Sequence, residues 1–392
     1  MNSSVPQGWE KRLAEGIYKR KKIQVTHDRN TVLPKGIYPV IDQSNSGEIG
    51  FLDKIPEFQC SNSAPLVTFA NHTCAVRKMT TPFGVIQNVF PLGALIDTDI
   101  DFIYQSLLAG IEPEGYMGHY PKLRETEFLV PPLPEQKKIA SILTSVDDVI
   151  ENTQKQIDKL QDLKMATMNE LLTKGIGRTE FKGSELGQIP KSWEVVSLGD
   201  LLIDRPSNGV SPPETEDENH LLSLSLGCLT KDGFSLVQTK MVEKRKNFES
   251  SLLVDKDFLI SRSNTRQLVG LVGIIRGLPA GFIYPDLMMR LTTSDKVKKE
   301  FLEYLMLSPS HRQLISNLAQ GTSDTMVKLN SQSVRQIPIQ LPSLTEQKEI
   351  VHILTSIKNR ILTQTQKLSQ TQSLKKSLMQ DLLTGKVRVM VN

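Results

Sequence analysis

Two segments of the chain carry apolar residues at the three- and four-residue spacing that one face of a long helix requires. The first set is Ile139, Ile142, Leu143, Val146, Ile150, Ile157, Leu160, Leu163, Met168, Leu171 and Leu172, and the second is Ile350, Ile353, Leu354, Ile357, Ile361, Leu368, Leu374, Leu378 and Leu382. Pro132 stands before the first segment, and Gly175 and Gly385 follow the two segments, where glycine commonly ends a helix. The pattern predicts two helices of about 40 residues, each ~60 Å long at 1.5 Å per residue.

The two predicted helices repeat each other in sequence. The segment PPLPEQKKIASILTSVDD, which begins at Pro131, returns from Pro342 as PSLTEQKEIVHILTSIKN, at a constant offset of 211 residues. Residues 5–10 match residues 189–194 at an offset of 184. A weaker match pairs Gly115, Lys122 and Leu123 with Gly321, Lys328 and Leu329. The chain is therefore predicted to run as domain, helix, domain, helix, with the second domain longer by 211 − 184 = 27 residues.

Both helices lose their apolar face midway, at Thr153-Gln154 and at Gln364-Thr365. In an antiparallel pair these two polar patches face each other, and a polar layer of this kind sets the register of a coiled coil. Parallel pairing also aligns the patches, so the direction follows from the chain path. An antiparallel pair brings the end of the first helix close to the start of the second, where one domain can connect them. We predict an antiparallel coiled coil, with helices packed separately on their own domains as the alternative.

The regions between the helices have a mixed pattern. Short apolar stretches such as residues 66–69 and 258–260 alternate with turns rich in Gly, Asn and Pro, which predicts α+β domains. Residues 175–191 are polar and contain glycine, so they are predicted to be a linker. The predicted boundaries are residues 1–130 for the first domain, 131–177 for the first helix, 178–340 for the second domain, and 341–392 for the second helix and tail.

Composition narrows the class of protein without identifying it. Hydrophobic residues make up 39% and charged residues 23% of the chain, which is ordinary for a globular protein. We find neither an apolar leader after Met1 nor an apolar run long enough for a membrane span, so no membrane is expected. Cys60, Cys74 and Cys228 are too far apart for a zinc pair or a disulfide framework, which favours the cytoplasm. The net charge of +4 is too small to indicate nucleic acid.

Motifs for catalysis are not evident in the sequence. There is no phosphate-binding loop, no His-Glu-x-x-His spacing, and no methyltransferase-like Asn-Pro-Pro-aromatic segment. The repeated tripeptides Glu135-Gln136-Lys137 and Glu346-Gln347-Lys348 match half of a metal-dependent nuclease motif. That motif needs a strand and a further carboxylate to hold the metal, whereas here each glutamate opens a helix and complements its dipole. We predict no catalytic residue and no metal ligand, with a metal-dependent nuclease as the less favoured alternative.

Basic and amide side chains in the two domains are candidates for contacts with DNA. Arg and Asn can form paired hydrogen bonds with guanine and adenine edges, while Lys and Ser suit phosphates. The candidates are Lys19, Arg20, Gln43, His72, Arg77, Lys78 and His119 in the first domain, and Lys244, Arg245, Arg262, Asn264, Arg266, Thr322 and Ser323 in the second. Each could instead be an ordinary solvated side chain. The cluster from Arg262 to Arg266 is the strongest, because it lies in a polar segment after a predicted strand.

These features together resemble the specificity subunit of Type I restriction-modification systems. The resemblance rests on the repeated Glu-Gln-Lys-x-Ile helix entry, on residues 183–194 and on residues 257–263, and it spans essentially the whole chain. It implies two target-recognition domains, each reading half of a bipartite sequence in double-stranded DNA, and two helices that set the gap. It also implies docking of two methyltransferase subunits, in which Glu135, Gln136, Lys137, Glu346, Gln347 and Lys348 are the candidate residues, and of restriction subunits.

The same resemblance implies that the cofactors belong to other chains. S-adenosylmethionine, ATP and Mg²⁺ are expected in the methyltransferase and restriction subunits, and none is expected in this chain. The domain interiors depart from each other, since Tyr116, Gly118 and His119 stand where the second domain has Thr322, Asp324 and Thr325. Individual base contacts therefore transfer only weakly. A coiled-coil scaffold whose domains bind protein instead of DNA remains the alternative.

Overall fold

A computed structural model describes residues 5–44, 47–115, 117–321 and 326–391. The chain forms two compact units, one of Met1–Gln156 with Gln364–Asn392 and the other of Ile157–Thr363. Each unit therefore holds one predicted domain together with half of each long helix. The predicted contact residues Thr322 and Ser323 lie outside the described residues, as do Tyr116, Asp324 and Thr325.

The first unit is built on a four-stranded and a three-stranded sheet. Its strands are β1 (Glu10–Leu13), β2 (Tyr18–Arg20), β3 (Tyr38–Ile41), β4 (Glu48–Leu52), β5 (Leu66–Ala70), β6 (Val76–Met79), β7 (Gly84–Val85), β8 (Val89–Ala94) and β9 (Glu127–Val130). The strand orders are β2-β8-β5-β6 and β4-β3-β7, and β1 pairs with β9. Only β3 and β7 pair in parallel among these described strands.

Three helices follow or cover these sheets: α1 (Ile100–Gly110), α2 (Tyr120–Glu125) and α3 (Leu133–Lys174), of which the part up to Gln156 belongs to the first unit. The Asp99 side chain accepts hydrogen bonds from two backbone N–H groups in the first turn of α1, which is why the helix begins there. The buried faces of α1, α2 and the four-stranded sheet form one core, which includes Val67, Phe69, Leu92, Ile103, Leu107 and Leu123.

The second unit has the same sheets with additional elements. Its strands are β10 (Phe181–Ser184), β11 (Gly187–Pro190), β12 (Glu194–Ser197), β13 (Ser207–Asn208), β14 (His220–Leu224), β15 (Leu229–Thr230), β16 (Gly233–Phe234), β17 (Thr239–Glu243), β18 (Phe258–Ser261), β19 (Ser263–Asn264), β20 (Val272–Ile274), β21 (Phe282–Ile283), β22 (Met288–Leu291), β23 (Val327–Lys328) and β24 (Pro338–Leu341). Its helices are α4 (Lys299–Leu307), α5 (Pro309–Leu318), α6 (Ser331–Arg335) and α7 (Leu344–Leu383), the last of which belongs to this unit up to Thr363.

The strand orders of the second unit repeat those of the first. The sheets run β13-β22-β18-β20 and β17-β14-β21, with β14 and β21 parallel, and β12 pairs with β24. The repeat thus extends into domain interiors whose sequences differ, and the predicted fold class is confirmed: two pseudo-repeated α+β domains with two long helices. The linker predicted at residues 175–191 is corrected, because β10 and β11 form an antiparallel hairpin there. Glycine and polar side chains in that segment belong to a turn and two exposed edges.

The backbone also corrects one sequence match. Helix α2 begins at Tyr120 and α6 at Ser331, which keeps the offset of 211 found for the long helices. Leu123 therefore corresponds to Val334, and both side chains are completely buried in their cores. The match of Leu123 with Leu329 was wrong, because it aligned a Lys-Leu pair without the helix that places the leucine.

The two long helices pack antiparallel within each unit. In the first unit, residues from the start of α3 share an apolar cluster with residues from the end of α7, namely Ile139, Ala140 and Leu143 with Leu378, Met379 and Leu382. Asp147 and Lys375 form an ion pair of 2.6 Å along the same seam. In the second unit, the end of α3 and the start of α7 share the core through Met168, Leu172, Ile350 and Leu354. The predicted antiparallel direction is confirmed.

Candidate nucleic-acid interface

The repeated glutamate at each helix entry is buried and holds its own unit together. In the first unit, Glu135 accepts hydrogen bonds from the indole Nε1 of Trp9 at 3.1 Å and from Arg388 Nε and Nη2 at 2.7 and 2.8 Å. Arg388 also donates from Nη1 to the backbone oxygen of Gln7 at 2.9 Å. The last described segment of the chain is thereby bonded to the first. We call this group of Trp, Glu and Arg the carboxylate latch.

The second unit contains the same latch from different parts of the chain. Glu346 accepts from Trp193 Nε1 at 3.1 Å, from Arg178 Nη2 at 2.6 Å, and from the backbone N–H of Ile176 at 3.1 Å. Burial acts to raise the pKa of Glu346, but the hydrogen bonds from Arg178, Ile176 and Trp193 outweigh burial and lower it. The matching ion pair raises the pKa of Arg178. The carboxylate is therefore held in its charged form.

Both latch arginines follow a glycine that ends a long helix. Gly175 and Gly385 have φ of 70° and 68°, the left-handed conformation that favours glycine, and an arginine comes three residues later in each case. Sequence reasoning missed Arg178 and Arg388, because the offset drops from 211 to 210 at this point. The repeated Gly-x-x-Arg pattern was the signal that could have found them.

The repeated glutamine is also used inside each unit. Gln136 Oε1 accepts from the Asp99 backbone N–H at 2.9 Å, and its Nε2 donates to Asp97 O and Pro131 O at 3.1 and 2.9 Å. Gln347 makes the equivalent bonds with Lys298, Lys296 and Pro342. Of the six residues predicted to dock a partner, Glu135, Gln136, Glu346 and Gln347 are buried with internal roles, and Lys137 and Lys348 are exposed.

Several polar side chains meet at one end of each unit, which we call the loop end. It is defined by the segments that follow β3, β5 and β7 in the first unit and β14, β18 and β21 in the second. The strand registers cause this, because Ala70 at the end of β5 pairs with Val89 at the start of β8, and Arg20 at the end of β2 pairs with Leu92. The parallel pairing of β3 with β7 brings their carboxyl ends to the same side.

The structure brings Gln43 and His72 together at the loop end of the first unit. The His72 backbone N–H donates to Gln43 Oε1 at 3.1 Å, and Gln43 Nε2 donates to the Gln87 backbone oxygen at 3.4 Å. Asn88 Nδ2 lies 3.3 Å from His72 Nε2. Asn88 was not identified as a candidate in the sequence analysis. Its φ of 66° marks a tight turn, which a sequence shows only as an asparagine between two apolar strands.

Arg20 lies at the same end with its guanidinium fixed on aromatic rings. Its Cζ is 4.0 Å from the ring centre of Phe90 and 4.9 Å from that of Tyr120. Stacking of this kind holds the planar group while its N–H donors face solvent. Arg20 and the neighbouring Lys19 are both exposed, as contact with a polyanion requires.

Three other predicted residues of the first unit have internal roles. His119 is completely buried, donates from Nδ1 to Asn71 O, and accepts from the Glu114 backbone N–H at 2.8 Å on Nε2. Arg77 donates to Gly47 O at 2.6 Å, and burial lowers its pKa despite Asp42 nearby. Lys78 forms an ion pair with Asp101 at the start of α1. We leave these three side chains out of the candidate interface.

In the second unit, the predicted cluster lies at the corresponding end, on residues 262–270 between β18 and β20, a loop that includes the two-residue strand β19. The Arg262 backbone N–H donates to Leu287 O at 2.8 Å, and Arg262 O accepts from the Leu329 N–H at 2.8 Å. The equivalent bonds in the first unit join Asn71 to Asn88 and His119, so Arg262 occupies the position of Asn71. Arg262, Asn264 and Arg266 are all half-buried on residues 262–270, with part of each side chain accessible to solvent.

The structure separates Lys244 and Arg245 from that cluster. In the register of β14 with β17, Leu224 at the loop end pairs with Thr239, and His220 at the other end pairs with Glu243. Glu243 lies about 13 Å along the strand from the loop end at ~3.3 Å per residue, and Lys244 and Arg245 follow it beyond that point. Arg245 also forms an ion pair with Glu243. Both side chains are exposed.

Within the described ranges of the chain, no three or more His, Cys, Asp and Glu side chains are grouped so that they could hold a metal ion. None of the helices described combines the length and apolar character that crossing a membrane requires.

The chain matches known proteins over most of its length. The family model described as Type I restriction modification DNA specificity domain matches residues 6–162 and 190–372. The MjaVIII specificity subunit of a Type I restriction enzyme from Methanocaldococcus jannaschii is 33% identical over 270 residues, which cover 66% of this chain and 62% of that protein. A protein from the same organism named as the putative MjaX specificity subunit of a Type I restriction enzyme is 32% identical over 280 residues, and the match covers 61% of its length. The chain thus spans less than two thirds of these relatives.

Two solved structures share the fold. The S subunit of a Type I restriction-modification system from M. genitalium superposes with a TM-score of 0.61 at 16% identity, covering 98% of both chains. A chain from a Type I restriction-modification system, studied for complex assembly and conformational transition, gives 0.54 at 14% identity and covers 98% of this chain and 100% of its own. At these identities the likeness concerns the fold.

Proposed function

The chain belongs to the family of Type I restriction-modification DNA specificity proteins, and we propose that it reads a bipartite sequence in double-stranded DNA. Each unit recognises one half of the target through the side chains at its loop end. The first uses Arg20, Gln43, His72 and Asn88, and the second uses Arg262, Asn264 and Arg266. The two long helices set the unspecified gap between the halves.

One observation carries this proposal: the two units have identical strand orders but different side chains at corresponding loop positions. Amide and imidazole groups in the first unit, and guanidinium groups in the second, present different donors and acceptors to a base edge. A shared scaffold with unlike recognition groups fits two unlike half-sites. A scaffold that bound one protein partner twice would be expected to repeat its surface groups.

The proposal includes partners and the cofactors they hold. Two methyltransferase subunits dock on the helices, where the exposed Lys137 and Lys348 take corresponding positions, and restriction subunits join the complex. S-adenosylmethionine, ATP and Mg²⁺ belong to those subunits. Reading genomic DNA places the chain in the cytoplasm.

The chain contributes recognition and no catalytic step of its own. The two glutamates of the nuclease-like tripeptides are engaged by Trp and Arg in the latches, so their oxygens already have donors. A metal would have to displace those donors before it could bind. This observation supports the non-catalytic reading over the nuclease alternative.

The test is to assemble the full chain with methyltransferase subunits and sequence the methylated sites. We expect a bipartite motif with a fixed gap, and we expect replacement of residues 178–340 by a relative's domain to change one half only. Selection of random duplexes without any preferred motif would instead favour the scaffold. Cleavage of DNA by the chain with Mg²⁺ alone would favour the nuclease, and a change in both halves would contradict modular reading.

A further inference from the structure

The second unit has a longer loop after β18 and an extra helix close to it. Four residues, 71–74, separate the bonded pair Ala70 and Ala75 in the first unit, whereas nine residues, 262–270, separate Ser261 and Leu271 in the second. The latch glutamines show where the helix was gained. Asp97 corresponds to Lys296 at an offset of 199 and Pro131 to Pro342 at 211, so 12 extra residues lie between them and include α5.

Two residues of helix α5, Arg312 and Ser316, form hydrogen bonds with the long loop. Arg312 Nη2 donates to Val269 O at 2.5 Å and to Gln267 O at 3.2 Å. Ser316 Oγ donates to Arg266 O at 3.2 Å, while Arg266 Nη1 donates back to Ser316 O at 3.3 Å. Four hydrogen bonds therefore join one face of α5 to the loop that carries the candidate base-reading side chains.

The close approach of α5 requires a glycine in the loop. Gly270 has φ of 72°, and a Cβ placed there would lie 2.2 Å from Ile315 Cγ2. Helix α5 is also held by His311, whose Nε2 donates to the Pro338 backbone oxygen at 3.2 Å. The helix is thus bonded both to β24 and to the loop, which makes it a support between the core and the loop.

Partial burial of the Arg312 guanidinium lowers the stability of the folded unit, which is unfavourable if the residue has only a structural role. Burial lowers its pKa to about 10, and no carboxylate of the described residues acts on it. An apolar side chain of similar length generally stabilises such a site better than an uncompensated buried charge. The two loop carbonyls that it binds give the arginine a different use: its planar donors set the path of the loop backbone.

We infer that Arg312 is a positioning residue for sequence reading by the second unit. Its guanidinium holds residues 267 and 269, and this fixes the loop so that Arg262, Asn264 and Arg266 approach the bases in one geometry. The inference rests on the proposed function. It adds that specificity at this half-site depends on α5, a helix with no counterpart among the described residues of the first unit.

The test compares Arg312→Met, Arg312→Lys and the control Gln313→Ala in the full chain assembled with methyltransferase subunits. Gln313 is exposed on the same helix and bonds only to Asn317 among the described residues. Duplexes with both half-sites randomised are selected, and we expect Arg312→Met to lower base discrimination at the second unit's half-site about tenfold. Discrimination at the other half-site should stay unchanged, Gln313→Ala should match wild type, and Arg312→Lys should restore part of the preference.

A second variant and a second measurement keep the result decisive. Ser316→Ala removes one loop bond with little change in volume and should relax the same half-site by a smaller factor; it decides the question should Arg312→Met fail to fold. Hydrogen exchange of the loop amides 268–270, which are bonded to Thr265 O and Ser261 O, should become faster in both variants. Unchanged discrimination in folded variants, or equal loss at both half-sites, would overturn the inference. A wild-type chain that selects no motif would instead reject the proposed function.

Discussion

The two units have the same sheets but differ in the elements added to them. In the second unit, the hairpin of β15 and β16 reaches both long helices: Lys164 Nζ donates to Asp232 Oδ1 at 2.5 Å, and Lys358 Nζ donates to Asp232 O at 2.9 Å. In the first unit, β3 ends at Ile41 and β4 begins at Glu48, so only six residues of sequence separate the two strands that correspond to β14 and β17. Helix α5 is likewise present in the second unit and has no counterpart between α1 and α2 among the described residues of the first unit.

What the units keep in common is the carboxylate latch, where a long helix begins, and what they vary lies at the loop end. A buried carboxylate needs all its donors in place, so Trp, Glu and Arg recur in both latches with the same donor and acceptor atoms. Exposed loops bear no such constraint and can change length and chemistry. The contrast fits the proposed function, in which the supporting contacts stay constant and the recognition surface varies.

The largest effect is expected from lengthening both helices together. Insertion of seven residues after Gln156 and seven after Thr363 keeps the apolar seam in phase and lengthens each helix by ~10 Å. That distance matches about three base pairs, and it also turns the second half-site by about 100° around the duplex. The methylated motif should gain about three base pairs in its gap, or binding should fail.

Sequencing the methylated sites of the complex decides this prediction. An insertion in one helix alone is the control, because it breaks the register and should abolish assembly. An active complex with an unchanged gap would show that the helices do not set the distance between half-sites.

Loss of the latch glutamate should lower the free energy of unfolding by a similar amount in the two units. Glu135→Ala and Glu346→Ala each leave a buried indole N–H and an arginine without their acceptor. The arginines are 44% and 40% exposed and can be solvated, so we expect a loss of roughly 3 kcal/mol, at the low end for breaking a buried pair. Denaturant unfolding of the full chain measures it, and the exposed Lys137→Ala and Lys348→Ala changes should stay within about 0.5 kcal/mol. A loss of stability in only one of the two glutamate variants would show that the latches are not equivalent.

A pH dependence should distinguish the unit that contains α5. Burial lowers the pKa of His311 from 6.5 to about 4, so the unfolded chain takes up a proton at a higher pH than the folded chain. The contribution of neutral His311 to the free energy of unfolding is complete above pH 6.5 and is lost as the pH falls towards 4. The loss is roughly 3 kcal/mol in all, at ~1.4 kcal/mol per pKa unit.

Unfolding at several pH values compares the wild type with His311→Gln, which keeps a donor for Pro338 O without titrating in this range. The variant should lose less stability between pH 6.5 and 4. The exposed His352→Gln, on α7, is the control and should behave as wild type. Parallel pH curves for wild type and His311→Gln would show that α5 does not supply this dependence.

The smallest effects should come from single recognition side chains. Arg262→Ala or Arg266→Ala should weaken binding by ~1–3 kcal/mol and relax one position of the second unit's half-site, while His72→Ala should act on the other half. Lys244→Ala is the control, since it lies away from the loop end: it should lower affinity evenly, reduce the salt slope by about one, and leave the preferred bases unchanged. Wild-type affinity and preference in the double Arg262 and Arg266 variant would remove these residues from the interface.

Local patterns in the sequence were enough for the long helices and the repeat. The three- and four-residue spacing placed helices that the structure has at Leu133–Lys174 and Leu344–Leu383, and the apolar stretches at 66–69 and 258–260 are strands β5 and β18. These features depend on residues close together in the chain, where helix and strand periods act directly. The order of domain, helix, domain, helix could be predicted for the same reason.

The roles of individual side chains were decided by contacts between distant residues. Nothing near Glu135 in sequence shows that Trp9 and Arg388 bind it, and a pattern of charges cannot tell exposed Arg20 from buried His119. Likewise, strand register set Lys244 apart from Arg262, and α5 became a support for the loop only through packing. Burial and hydrogen bonding are properties of the folded unit, because they depend on which strands pair and which faces pack together. The periodicity that predicts a helix, by contrast, is contained in one continuous stretch of the chain.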